Sequence, residues 1–177
     1  YRAMQKTPLA IACFERCLEL QPDEAGAHYH LGALLALQGR REEAIARYRE
    51  AIRLRPDYAN AWAELGDVMA SLWKNDAALE CLRRVVELRP GSDSDRHRLA
   101  IAQANAGEYA EAEAYCREKL RQDGESDQWL SWLAGVLKPQ GKIEEAAAVY
   151  RRLRELRPID WHVHSRYLYL LHNLPNI

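Results

Sequence analysis

Histidines, thiols and paired carboxylates are the side chains of this sequence best suited to chemistry, and their spacing argues against it. His28 and His30 stand two apart, as do His162 and His164. On a helix, residues two apart point in nearly opposite directions, so neither pair can share a metal ion. His97 and His172 have no histidine one turn away. Cys13 and Cys17 are one helical turn apart, which brings two thiols together but supplies too few ligands for a metal site. With Cys81 and Cys116 they read as reduced thiols in or near a core, small hydrophobes that suit a cytoplasmic protein. The pairs Glu42–Glu43 and Glu144–Glu145 fall at expected helix starts, where acids offset the positive end of the helix dipole. No phosphate-cradling GxxxxGK[ST] or GxGxxG pattern occurs, and no GxSxG nucleophile elbow. The expectation is therefore no catalytic residue, no bound metal and no cofactor.

The elements that position these residues follow from composition and period. The chain has 177 residues, of which 48% are hydrophobic and 29% charged, enough apolar surface for an ordinary folded domain. A net charge of −1 and a pI near 6.7 give no electrostatic reason to expect nucleic acid as a partner. No run of 18 apolar residues occurs, so no membrane insertion is expected.

Self-similarity at 34 residues organises the sequence. Pro22, Pro56 and Pro90 keep that spacing, Pro158 returns two periods later, and Gly124 stands between. Four further columns stay in phase. One is alanine (Ala10, Ala44, Ala78, Ala112, Ala146), and one is leucine (Leu31, Leu65, Leu99, Leu133, then Tyr167). A small residue follows each leucine (Gly32, Gly66, Ala100, Ala134), and larger residues recur at Phe14, Tyr48, Leu82, Cys116 and Tyr150. Within a unit, apolar residues fall three and four apart, so each half is an amphipathic helix. Gly39, Gly107 and Gly141 mark the reversal between halves, with Trp73 in the equivalent place. Each proline stops a second helix, and Gly124 is expected to do so as a left-handed cap. The pattern predicts helices over 10–20, 25–38, 42–55, 59–72, 76–89, 93–106, 109–122, 127–138, 143–157 and 160–173. Pro139 should end or bend the eighth early.

The segment Trp62-x2-Leu65-Gly66, followed by Ala78, Leu82 and Pro90, resembles the tetratricopeptide repeat pattern W-x2-L-G, A-x3-F, P. The unit 25–58 is similar, with His28 at the aromatic position, whereas units 93–126 and 127–160 begin with Arg96 and Leu130 there. The resemblance implies an all-α fold, an α-solenoid of antiparallel helix pairs wound as a right-handed superhelix. It spans 1–160, with a partial first unit 1–24 and a capping or junction helix at 161–177. Both ends read as cut from a longer chain, since Tyr1 falls on the eleventh position of a unit.

The family's concave groove is lined by the second, fifth, ninth and twelfth residues of each unit. Carried over, these positions include Tyr29, Asn60, Asp67, His97, Gln128, Ser131 and Tyr169, with Ala33, Ala63 and Lys138 among their neighbours. The row is mostly neutral and polar, suited to the backbone of an extended peptide or a protein partner. Tyr29, Ala33 and Glu64 stand where some members carry a lysine-and-asparagine clamp for a terminal carboxylate, so no such clamp is implied. The arginines of the second helices (Arg83, Arg84, Arg89, Arg151, Arg152, Arg154, Arg157) read as a solvated outer face balanced by Glu87 and Glu155, against a basic strip for acidic partners. Trp73, near Trp62, either packs under its turn or shows an exposed edge; Trp129 and Trp132 leave the same choice.

The expected function is a protein–protein interaction scaffold. The segment from His164 to Pro175 also resembles the helix that joins the repeats to the catalytic region in bacterial relatives of the O-linked N-acetylglucosamine transferases. That resemblance implies an alternative, the substrate-recognition arm of a longer glycosyltransferase whose catalytic region lies outside these residues. Against it, the sixth positions carry His30, Glu64, Arg98, Trp132 and Arg166 in place of that family's asparagine ladder. The oligomeric state is not set by any of these features.

Overall fold

A computed structural model of the chain describes residues 2–172, with the side chains of 8–163, 165–169 and 172. The described residues form helices and connecting turns. The order is α1 (Arg2–Leu20), α2 (Ala25–Leu37), α3 (Arg41–Leu54), α4 (Ala59–Ser71), α5 (Asn75–Leu88), α6 (Asp93–Ala106), α7 (Tyr109–Asp123), α8 (Asp127–Leu137), α9 (Ile143–Leu156) and α10 (Trp161–His172). The first helices start at Ala25, Ala59, Asp93, Asp127 and Trp161, keeping the period of the sequence. α1 begins eight residues earlier than the spacing predicts, with Pro8 inside it at the loss of one backbone hydrogen bond. The junction resemblance falls partly on α10, a helix that the repeat register requires in any case; its last residues, Asn173 to Pro175, lie outside the described residues.

The chain divides into two compact units, Tyr1–Ala102 and Gln103–Ile177. In the first, α1 packs on α2, α2 on α3, α3 on α4 and α4 on α5, and α2 also touches α4. In the second, α7 packs on α8, α8 on α9 and α9 on α10. The columns of the sequence form these contacts. Leu31, Ala44, Tyr48, Leu65 and Ala78 lie in the core of the first unit. Cys116, Leu133, Ala134, Ala146, Tyr150 and Tyr167 lie in the core of the second.

The small column exists because the large column leans on it. A Cβ added to Gly32 would stand 2.8 Å from the ring of Tyr48, and one at Gly66 would stand 3.1 Å from Leu82. Both are too close for an unshifted core, so α2 and α4 approach their partners only with no side chain there.

The helix ends follow local chemistry. Glu24 and Ser126 accept backbone N–H bonds at the starts of α2 and α8, at 3.0 and 3.3 Å. Asp160 does so for α10, at 3.0 Å from His162 N and 3.4 Å from Val163 N. Pro139 ends α8 at Leu137 through a single 3-10 turn, Lys138–Gln140. Gly124 ends α7 with φ 79° and ψ −178°, a positive-φ extended conformation and not the left-handed cap the sequence suggested.

Two expectations about burial need correction. Cys13 is exposed, whereas Cys81 and Cys116 are buried, and burial pushes both of those thiols up to about 11. Ala63, placed by its column in an open groove, is 2% exposed. The guanidinium of Arg98 reaches across from α6 and donates to the Ala63 carbonyl at 3.1 Å, closing that position from above.

Candidate functional site

The first unit gathers four of the expected groove residues on α2, α4 and α6. Tyr29 is half-buried, with its ring 5.1 Å from Tyr58 and 6.1 Å from Tyr48. Burial, then the nearby Glu64 carboxylate, raises its pKa. Asn60 is exposed and accepts a hydrogen bond from Arg89 at 2.8 Å. Arg89 also stands 3.0 Å from Asp95, which is buried at 4% exposure. Asp67 pairs with Arg98, whose Nε lies 3.3 Å from its Oδ1. His97 is half-buried on α6.

Two arginines that the family positions did not flag therefore organise this face. Arg89, expected on the solvated outer face, instead ties the end of α5 to α4 and α6. Arg98, at a sixth position, ties α6 to α4. The sequence signal was an acid nearly one repeat before Arg98, Asp67, and an acid six residues after Arg89, Asp95; pairing them required the register between neighbouring helices. Asn60 and Asp67 are not free polar groups but halves of these ties.

Glu64 stands apart. It is half-buried on α4 and makes no hydrogen bond or ion pair with any described residue. Burial, and then the neighbouring Asp67 carboxylate, raises its pKa, and the charge of Arg98 offsets this only in part.

In the second unit, Gln128 and Ser131 are exposed on α8. Tyr169 is exposed on α10, with the Lys138 ammonium 6.0 Å from its ring centre. Trp129 and Trp132 are half-buried and meet edge to face at 6.1 Å, and Tyr115 meets Trp129 in the same way at 5.8 Å. Beneath α8 lies a carboxylate that sequence reading missed. Glu113 is 2% exposed and accepts from Lys142 at 2.8 Å, from Gln140 at 2.7 Å and from Arg117. Burial raises its pKa, but these bonds and charges outweigh burial and hold it below the ordinary carboxylate value.

His28 and Trp62 fill one column and do one job. His28 Nε2 stands 2.9 Å from the Pro22 carbonyl, and Trp62 Nε1 donates to the Pro56 carbonyl at 2.9 Å. His30 is exposed and stacks on Phe14 at 5.4 Å. Trp73 is 87% exposed, which decides between its two readings. Among the outer arginines, Arg84 pairs with Glu87 at 2.8 Å and Arg152 with Glu125, while Arg154 lies 4.9 Å over the ring of Tyr167. Among the described residues no three His, Cys, Asp or Glu side chains come together in a metal-holding group, and no helix is long and apolar enough to cross a membrane.

Comparisons with known proteins agree with this architecture. The family pattern described as "TPR repeat" matches residues 1–39 and 35–72, and that described as "Tetratricopeptide repeat" matches 72–127 and 97–160. Among solved structures, the chain is similar to YrrB, described as a TPR protein with an unusual peptide-binding site (TM-score 0.79, 22% identity, 93% of this chain and 86% of that one). It is also similar to MamA of Desulfovibrio magneticus (0.74, 19%, 90% and 92%). A tetratricopeptide repeat protein of Parabacteroides merdae gives 0.78 at 16% identity, over 96% of this chain and 68% of that one. A search of the curated proteins finds no significant match. The repeat columns, the helix pairs they build and the two matching patterns agree: this chain belongs to the tetratricopeptide repeat family.

Proposed function

We propose that the face built by α2, α4 and α6 in the first unit holds an extended segment of a partner protein, with the exposed α8 and α10 side chains Gln128, Ser131 and Tyr169 forming a separate contact row in the second. Tetratricopeptide repeats are protein–protein interaction scaffolds, and the described residues gather no other evident machinery. One observation carries the finer reading: on the first unit, aromatic rings, a carboxylate without a hydrogen-bond partner and the ion-paired Arg98 lie along the first helices, tied by Arg89 from the end of α5, while the outer second-helix face carries locally paired charges. Side chains held on packed helices lose little freedom on binding, so modest contacts yield measurable affinity. YrrB, of the same fold, is described as having a peptide-binding site, which lends support at the level of fold.

The test is a peptide selected from a random display library on the whole chain and titrated by calorimetry. Asn60→Ala with His97→Ala is expected to weaken binding tenfold or more, while Arg83→Ala with Arg84→Ala leaves it within twofold. The opposite ranking would place the partner on the second helices.

A further inference from the structure

A continuous row of rings crosses the first unit, and most of it lies outside the repeat columns. The Arg55 guanidinium stands 4.9 Å over the ring of Tyr58. Tyr58 lies 5.1 Å from Tyr29, Tyr29 5.0 Å from His30, and His30 5.4 Å from Phe14. Arg55 and His30 are exposed and the other three are half-buried, so the row meets solvent along its length. No other unit carries rings at the positions of Tyr29, His30 and Tyr58 together; the next has Ala63, Glu64 and Ser92 there. The core of the repeat therefore does not ask for them.

Hydrogen bonding on this face is answered unevenly. The acceptors are mostly taken, since Asn60 gives its side-chain oxygen to Arg89 and Asp67 gives its carboxylate to Arg98. Glu64, one helical turn from Asn60, is the acceptor that remains. The donors are left over. The hydroxyls of Tyr29 and Tyr58, the side-chain N–H groups of Asn60 and the Arg55 guanidinium have no hydrogen-bond partner among the described residues.

A helix surface has no spare backbone groups, because its own N–H and C=O groups are bonded along the axis. A segment lying on it must be answered by side chains. An ordinary extended segment brings an N–H with every C=O, and on this face most of the covered N–H groups would lose water without gaining an acceptor. Proline brings a carbonyl and no N–H. Its apolar ring packs flat on a tyrosine face, and a proline run already holds the polyproline II helix, with about three residues per turn, so little ordering remains to be done on binding.

We infer that the Phe14–His30–Tyr29–Tyr58 row receives a proline-rich segment of the partner in the polyproline II conformation, its rings on the aromatic faces and its carbonyls accepting from Tyr29, Tyr58, Asn60 and Arg55. The inference rests on the groove reading above, which the row joins through Asn60, and sharpens it from an extended segment to one rich in proline.

The experiment uses the whole chain and the dodecapeptides recovered by display selection, titrated by calorimetry. Recovered sequences should carry prolines at a spacing of about three residues more often than the unselected library. Replacing those prolines by alanine should weaken binding tenfold or more. Tyr29→Phe with Tyr58→Phe keeps both rings and removes both hydroxyls, and should lose fivefold or more. His30→Ala, at an exposed position, should lose several-fold with the circular dichroism of the parent. Prolines no more frequent than in the library, or alanine peptides that bind as tightly as their parents, overturn the assignment, and so does undiminished binding by either variant. If proline-poor peptides still lose affinity to the Asn60→Ala, His97→Ala variant, the groove reading stands and only the proline assignment falls. If no variant on this face affects binding, or no peptide is recovered, both fall together.

Discussion

Glu64 in the first unit and Glu113 in the second are both withdrawn from water, and their surroundings differ in one respect. Glu113 stands in the column of Leu79, Ile45 and Ala147, where an acid is foreign, yet Lys142, Gln140 and Arg117 all reach it. Glu64 has no such company. The two turns show the same contrast. The α8–α9 turn passes Gly141 at φ 72°, a conformation glycine adopts freely, and Glu113 holds its flanks through Gln140 and Lys142. The α4–α5 turn puts Trp73 at φ 59° with its ring in solvent, where Gly39 and Gly107 serve the equivalent turns. A departure from the repeat whose polar atoms are all answered reads as structure. A departure that leaves a charge unmatched, or bends a bulky residue into the left-handed region, destabilises the fold and points to a requirement outside it.

The largest effect expected from this contrast is at Glu113. Glu113→Ala removes three charge-assisted or polar bonds, though Arg117 and Lys142 can regain water; a loss of about 2–3 kcal/mol is expected in chemical denaturation. Because its folded pKa is lowered, Glu113 stabilises fully above the ordinary carboxylate range and progressively less as pH falls through and below it. Glu113→Gln should flatten that acid slope, and an unchanged slope would mean the network contributes nothing. Next comes Trp73→Gly, which relieves the left-handed strain and gives up almost no packing, for a gain of about 1 kcal/mol. A loss instead would show that the ring has a packing role inside the chain.

Smaller still is Glu64→Gln, with a gain below about 1 kcal/mol at neutral pH. The sign is the reverse of Glu113: the folded pKa is raised, so the cost is complete above it and vanishes as pH falls below the unfolded value. The variant's advantage should therefore disappear in acid, and an advantage that grows there would contradict the assignment. Least affected is Arg84→Ala, which breaks an exposed pair with Glu87 one turn away and should stay within about 0.5 kcal/mol. A larger loss would give the outer face a structural weight it lacks here.

Ala63 and Ala78 mark the boundary of what periodicity tells. Ala78 was legible as a core residue because its column is alanine at each of five repeats. Ala63 looked solvent-facing by position, and it is buried because Arg98 closes over it from the next helix. Overpacking by leucine should now cost about the same at both positions, about 1–3 kcal/mol.

What the sequence determined by itself was the fold class, the helix order and the composition of the core. These follow from a 34-residue period, from prolines and glycines that stop helices, and from small residues opposite large ones, all of which act through the chain's own local geometry. What only the tertiary structure decided was the chemistry of the candidate site. Whether Asp67 is free or tied, whether Glu64 has a counter-ion, and which ring Tyr29 meets depend on side chains about thirty residues apart meeting across neighbouring helices. The reach and rotamer of a long side chain such as Arg98 are set by its neighbours in space, and a repeat pattern records the backbone that brings them near without recording which of them pair.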